Sequence, residues 1–87
     1  MQRKVTEVKV PPAVLAGAGD QPAIALLEWH AREGEFVKAE QELLDLITPV
    51  GLHSVSAPRA GRLSEILAEE GSPVDPGQIV ALIEEQR

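Results

Sequence analysis

The chain has no cysteine and no tyrosine, and one tryptophan and one phenylalanine are its only aromatic side chains. The absence of cysteine excludes disulfide bridges, thiolate metal sites and cysteine nucleophiles. With only Trp29 and Phe36, aliphatic side chains must build most of any core. Basic residues are also few, since eight Lys and Arg face fourteen Asp and Glu for a net charge of −6. Nucleic-acid binding needs clustered cations at the phosphates, so this charge balance argues against a nucleic-acid partner.

Long apolar runs are missing as well. No stretch approaches the ~20 apolar residues that cross a bilayer, so we expect no membrane insertion. The basic start Met1–Lys4 resembles that of a signal peptide, but Glu7, Lys9 and Pro11-Pro12 interrupt the region that should be apolar. We therefore expect a soluble, cytoplasmic protein.

Length and composition predict one small globular domain. The chain has 87 residues, of which 44% are hydrophobic and 25% charged. We expect a single domain over residues 1–87, with a structured core over 5–84 and an irregular loop over 13–23, where two glycines and Pro22 oppose a helix. The initiating Met and the internal repeat described below favour a small independent unit.

Seven prolines and seven glycines divide the chain into short segments, which favours strands over long helices. Glu33-Gly34-Glu35 is predicted to be a turn, and Gly71 to Gly77 a connection. Helix is the alternative for 62–70, because Leu63, Ile66 and Leu67 also fit a helical stripe. The predicted strands are 5–10, 24–31, 43–48, 52–56, 62–68 and 79–84.

An internal repeat decides between these readings. A shift of 37 residues aligns 25–46 with 62–83, with seven identities in twenty-two positions, among them Glu33-Gly34 with Glu70-Gly71. Each half reads as a strand, a Glu-Gly turn, a valine, a short connection ending in glutamine, and an aliphatic strand. Neither half can bury an apolar face alone, so the repeat predicts two small antiparallel sheets packed about a pseudo-two-fold axis.

The order and spacing of these residues resemble the biotinyl/lipoyl carrier domains of 2-oxo acid dehydrogenase acyltransferases and biotin carboxyl carriers. The resemblance spans about residues 5–84 and implies an all-β, flattened barrel–sandwich of two four-stranded antiparallel sheets. Two positions depart from the family pattern, because Glu40 and Ile24 stand where glycine is usual. The matching residues are Glu28-Trp29, Glu33-Gly34, Val37, Leu43-Leu44, Ala57-Pro58, Gly61, Ile66-Leu67, Glu70-Gly71, Val74, Gly77-Gln78 and Ile83-Glu84.

The main departure lies at the hairpin that carries the cofactor in that family. The resemblance implies a lysine at the tip, inside Asp-Lys-Ala or Met-Lys-Met, whose amine is acylated by lipoate or biotin. This chain has Pro49-Val50-Gly51 there, and Val50 stands in the place of the lysine. Valine has no amine that could form the amide. The segment Thr48–Gly51 still suits a type I turn, with Pro49 fixing φ and Gly51 accepting a positive φ. Lys38 lies in a connection away from the tip, and we interpret it as a solvated charge.

Other candidate sites carry weaker signals. His30 and His53 have nearby acids, Glu28 and Asp45, but no recognised ligand spacing, so we expect no metal site. Ser54 and Ser56 alternate with His53, which disfavours a Ser–His catalytic pair. The remaining patterns are Glu69-Glu70 and Glu84-Glu85, expected to be a solvated acidic surface, and Gly17-Ala18-Gly19, a weak phosphate-loop match.

Three functional hypotheses follow, and an enzyme ranks last, because no nucleophile, base and orienting group can be assembled. The first is a cofactor-free protein-interaction module of a larger enzyme complex, with Pro49, Val50 and Gly51 as the candidate contact. The alternative is a genuine swinging-arm carrier of lipoate or biotin in a 2-oxo acid dehydrogenase or biotin-dependent carboxylase complex. In both, the protein partners are expected to be subunits of such a complex. The predicted core residues are Leu26, Trp29, Val37, Leu43, Val55, Leu63, Ile66, Val74 and Ile83.

Overall fold

The computed structural model describes residues 4–12 and 24–85, and its regular structure is almost entirely β. Within these ranges no helix has the length and apolarity that crossing a membrane requires. The predicted loop 13–23, including Gly17-Ala18-Gly19, lies outside the described residues. The described residues form eight strands: β1 (Lys4–Lys9), β2 (Ile24–Trp29), β3 (Phe36–Val37), β4 (Glu42–Thr48), β5 (Gly51–Ser56), β6 (Gly61–Ile66), β7 (Pro73–Val74) and β8 (Ile79–Glu85).

The strands form two four-stranded antiparallel sheets, in the orders β1-β8-β6-β3 and β5-β4-β2-β7. This confirms the predicted all-β barrel–sandwich. All six predicted strands are present with ends that differ by at most two residues, and the helical alternative for 62–70 is wrong. Two short strands were not predicted. β7 lies within the predicted connection Gly71 to Gly77, and β3 is its counterpart in the first half.

Paired backbone hydrogen bonds show the pseudo-two-fold relation directly. Leu26 N donates to Ser72 O at 2.9 Å, and its counterpart Leu63 N donates to Glu35 O at 2.8 Å. The carbonyls of the same two leucines accept from Gly71 N and Gly34 N, both at 2.7 Å. Each half therefore holds the first strand of the other half against its own Glu-Gly turn. This exchange explains why neither half is complete alone.

The core is aliphatic, as the composition predicted. Seven of the nine predicted core residues are buried, and the other two, Trp29 and Ile66, are partly buried and pack against the core. The Trp29 indole Nε1 donates to Ala68 O at 2.9 Å, which satisfies its one polar atom while the ring contributes apolar area. The largest fully buried side chains are Leu26, Leu43, Leu44, Leu46, Leu63, Ile83, Val8, Val10, Val37 and Val80.

The repeat also explains an unusual backbone conformation at Glu40. Glu40 has φ 69° and its counterpart Gly77 has φ 77°. The two amides make equivalent hydrogen bonds, Glu40 N to Ala57 O and Gly77 N to Val10 O, both at 2.8 Å. Because a left-handed conformation costs a residue with a Cβ about 1–2 kcal/mol, the first half stores strain here that glycine avoids in the second.

Candidate functional site

The hairpin between β4 and β5 is the first feature of the candidate site. Thr48 and Gly51 are paired across it, so Pro49 and Val50 form the turn. The Thr48 hydroxyl donates to Gly51 O at 2.8 Å and accepts from Val50 N at 3.2 Å. Gly51 has φ 124°, whereas neither turn residue has a positive φ, as the predicted type I turn requires. The hydroxyl of the buried Thr48 thus bridges the turn by two hydrogen bonds, and 65% of the surface of Val50 is exposed.

An apolar row crosses the outer face of the sheet next to this turn. The register places Pro73, Ala25, Ile47 and Leu52 side by side on the four strands β7, β2, β4 and β5. Ile47 is 45% exposed and Leu52 69% exposed, so large apolar side chains face solvent where the sheet meets the turn. We call these four residues and Val50 the tip surface. The turn could be predicted from local sequence, but the row could not, because the register has to bring four separate strands together.

The other sheet provides an internal comparison for the tip surface. The repeat places Phe36, Arg62 and Glu84 at the equivalent positions of its outer face. Val5 pairs with Glu84 as Leu52 pairs with Ile47, and the register joins all four residues in one row. The two central positions of that row are charged, whereas those of the tip surface are Ala25 and Ile47. The fold therefore does not require an apolar row, and the tip surface is a property of one face only.

A polar cluster borders the tip surface on the same sheet. Glu28 and Asp45 are register partners on β2 and β4, and His30 follows the end of β2. His30 Nε2 lies 2.9 Å from Asp45 Oδ2, and the Ser54 hydroxyl donates to Asp45 Oδ1 at 2.9 Å. One ligand atom from each of Glu28, His30 and Asp45 lies within 4.8 Å of the others. The three residues were considered from sequence, but their spacing along the chain matches no known metal site. The pairing of β2 with β4 brings them together.

The charges of this cluster reinforce one another. The hydrogen bond with Asp45 raises the pKa of His30 above its ordinary value of 6.5, with smaller contributions from the nearby carboxylates. Hydrogen bonds from His30 and then from Ser54 lower the pKa of Asp45 below 3.8. The charged pair is therefore favoured between these two pKa values.

We expect the pair to make stability depend on pH. The raised pKa of His30 gives stabilisation that is fully present below pH 6.5 and is lost as the pH rises through the raised pKa. The lowered pKa of Asp45 gives stabilisation that is lost as the pH falls through that lowered pKa. In chelator-treated buffer, His30→Gln should lower Tm at about pH 5.5 and have less effect at about pH 8.5. His53→Gln, which removes the other histidine, is the control. An equal Tm difference at both pH values would contradict the prediction.

The glutamates of the Glu-Gly turns have a structural role that the sequence did not predict. Glu33 Oε2 accepts from Ile66 N at 2.7 Å, and Glu70 Oε2 accepts from Trp29 N at 2.8 Å. Each carboxylate thus binds the end of a strand in the other half. Glu69 and Glu70 are exposed, as expected for a solvated acidic surface, but Glu70 also binds a backbone amide, and Glu85 accepts from the Thr6 hydroxyl at 2.6 Å.

Comparisons with known proteins agree with this architecture. A family model described as a biotin-requiring enzyme, Biotin_lipoyl, matches residues 6–83. The chain belongs to the biotin/lipoyl family. Domains of this family are carrier modules rather than catalysts, and they are parts of larger enzymes. The tip surface and the polar cluster thus lie on a biotin/lipoyl domain.

Two curated relatives are acyltransferase components of dehydrogenase complexes. The succinyltransferase component of the 2-oxoglutarate dehydrogenase complex of Buchnera aphidicola subsp. Schizaphis graminum is 37% identical over 62 residues, covering 71% of this chain and 16% of the relative. The acetyltransferase component of the pyruvate dehydrogenase complex of Cupriavidus necator is 28% identical over 78 residues, covering 90% of this chain and 13% of the relative. The chain therefore corresponds to a small part of each of these proteins.

Proposed function

We propose that this biotin/lipoyl domain is a cofactor-free protein-interaction module that binds subunits of a larger enzyme complex through its hairpin tip. The observation that carries the proposal is the turn itself, which presents Val50 where the family resemblance implies the acylated lysine. An amide to lipoate or biotin needs a primary amine, and the turn Thr48–Gly51 contains none. The scaffold that presents the tip is intact.

The positions of the lysines support the same reading. The chain has three, Lys4, Lys9 and Lys38. Lys4 and Lys9 lie on β1 in the opposite sheet. Lys38 precedes β4 and lies near the end of that strand that is away from the turn. The seven residues of β4 span about 20 Å between that end and the turn. None of the three is presented by the β4–β5 turn.

The character of the tip surface supports a protein partner. Interfaces between proteins combine an apolar centre with a polar rim. Here the exposed apolar side chains Ile47, Val50 and Leu52 lie together, and Glu28 and Asp45 border them on the next row. Since the relatives are components of 2-oxo acid dehydrogenase complexes, the subunits of such a complex are the proposed partners.

Intact-mass measurement tests the cofactor-free half of the proposal. The chain is co-expressed with lipoyl and biotin ligases and the corresponding acids, and we expect the unmodified mass. Val50→Lys should become acylated, because the turn then presents an amine. An added lipoyl or biotinyl mass on the wild-type chain would instead support the carrier alternative, and peptide mapping would identify the lysine. An unmodified Val50→Lys would show that residue 50 is not the sole obstacle.

A matched pair of variants tests the interaction half. Leu52→Asp places a charge in the tip surface, and Val5→Asp places one at the equivalent position of the other sheet, where Val5 is 52% exposed. The probe is the purified 2-oxo acid dehydrogenase complex of the same organism, immobilised for binding measurements. We expect Leu52→Asp and Val50→Asp to weaken binding about tenfold or more and Val5→Asp to leave it unchanged. Equal effects on both sheets, or no binding by the wild-type chain, would refute the tip as the contact.

A further inference from the structure

We infer that Glu28, His30 and Asp45 form a binding site for a divalent first-row metal ion such as Zn²⁺ on the outer face of the β5-β4-β2-β7 sheet. This inference concerns a second site and does not depend on the role proposed for the tip. One imidazole and two carboxylates are a donor set that suits zinc and its neighbours, whereas Mg²⁺ and Ca²⁺ prefer oxygen ligands.

The donor atoms lie near the spacing that such an ion requires. Zinc binds imidazole nitrogen at about 2.0–2.1 Å and carboxylate oxygen at about 2.0–2.2 Å, so that neighbouring ligand atoms lie about 3.3 Å apart. His30 Nε2 and Asp45 Oδ2 are 2.9 Å apart, and all three ligand atoms fall within 4.8 Å. Glu28 is exposed and has several rotatable bonds, so a side-chain rotation brings its carboxylate into range.

The backbone fixes the relative positions of the three donors. Glu28 and Asp45 are paired residues of adjacent strands, and His30 N donates to Leu43 O at 2.7 Å. The Ser54 hydroxyl binds the Asp45 oxygen that does not face His30, which orients the carboxylate as outer partners of metal ligands do. Three protein donors on an exposed face leave a further coordination position for water.

Comparison of the two halves shows that the backbone arrangement does not require these polar side chains. The positions equivalent to Glu28, His30 and Asp45 are Glu65, Leu67 and Leu82. Glu65 and Leu82 are paired as Glu28 and Asp45 are, and Leu67 N makes the backbone hydrogen bond that His30 N makes. The same backbone thus accepts leucine in place of both the imidazole and one carboxylate. The second half therefore lacks the donor set.

The experiment uses the chain without an affinity tag, because a histidine tag would bind the probe. Zn²⁺ is titrated by calorimetry and followed by NMR at the ring nitrogens of both histidines. We expect saturable binding that shifts the nitrogens of His30. His30→Leu, which copies the leucine of the second half, should lower the affinity about tenfold or more, as should Asp45→Asn, and Glu28→Gln should weaken binding measurably.

His53→Ala is the matched control, because His53 lies on β5 of the same sheet, is exposed and is the only other histidine of the chain. It should bind Zn²⁺ as the wild-type chain does, and Ca²⁺ should leave the ring nitrogens of His30 unshifted. The inference is overturned if the wild-type chain shows no saturable binding, if binding survives His30→Leu, or if Glu28→Gln has no effect. Because the readouts are metal affinity and imidazole shifts, they are independent of acylation and of partner capture.

Discussion

Truncation of Leu26 to alanine is expected to lower the free energy of unfolding by about 2–5 kcal/mol. Leu26 is fully buried, and both its backbone groups bind the turn of the other half, so the cavity opens where the two halves cross. A chain of this size has a total stability of about 4–13 kcal/mol, and the loss is a large part of it. Leu63→Ala should have a similar effect, since Leu63 has the equivalent environment.

Chemical denaturation of the two variants measures these losses, and an adjacent residue provides the control. Leu27 is 43% exposed, and Leu27→Ala should change the free energy of unfolding by no more than about 0.5 kcal/mol. If Leu26→Ala cost no more than Leu27→Ala, the assignment of Leu26 to the core would be wrong. A large difference between the Leu26 and Leu63 variants would show that the two halves contribute unequally to cooperative unfolding.

The sequence predicted those parts of the fold in which a local residue pattern has only one structural interpretation. Alternating aliphatic residues locate the long strands, and Glu33-Gly34 and Glu70-Gly71 locate the two turns. At residues 62–70 the stripe of Leu63, Ile66 and Leu67 fits both a helix and a strand. The 37-residue repeat decided in favour of a strand, because it requires the segment to match residues 25–33.

The parts that sequence missed depend on contacts between distant segments. β3 and β7 are two residues long, and pairing with β6 and β2, rather than their own composition, makes them strands. The hydrogen bonds of the Glu33 and Glu70 carboxylates could not be predicted locally, because the backbone amides that they bind belong to the other half. Of the site, the turn could be predicted locally, but the apolar row and the polar cluster each need the register of several strands.

The structure also changes the interpretation of Val50. From sequence alone, Val50 is a single apolar residue at an exposed turn, which is common on protein surfaces. In the sheet it adjoins Ile47 and Leu52, and a larger apolar surface results on one face of a pseudo-symmetric domain. Exposed patches of this kind are typical of interaction sites. The exposed valine at the turn and the apolar row are separate observations, and both support the proposed contact surface.

Substitution of Gly61 by alanine is expected to destabilise the domain by about 3 kcal/mol, at the upper end of overpacking effects. A Cβ at this position would lie 2.5 Å from Glu84 O and 2.8 Å from the Ile83 Cγ2 methyl. Gly61 has no positive φ, so its requirement for glycine is a matter of space rather than of conformation. The counterpart in the other half, Ile24, carries a side chain that is 3% exposed.

The contact with Glu84 O allows a sharper test, because a carbonyl oxygen cannot move without disturbing the pairing of β6 with β8. The other neighbour, the Ile83 methyl, is removed by Ile83→Ala. We therefore expect Gly61→Ala to destabilise the Ile83→Ala variant as much as it destabilises the wild-type chain. Unfolding by denaturant measures both differences. Rescue by Ile83→Ala would show that the methyl rather than the backbone excludes the Cβ. A single Gly61→Ala variant as stable as the wild-type chain would contradict the close approach of the strands. Ile24→Ala, by contrast, should destabilise by leaving a cavity, so the two equivalent positions demand opposite side-chain sizes.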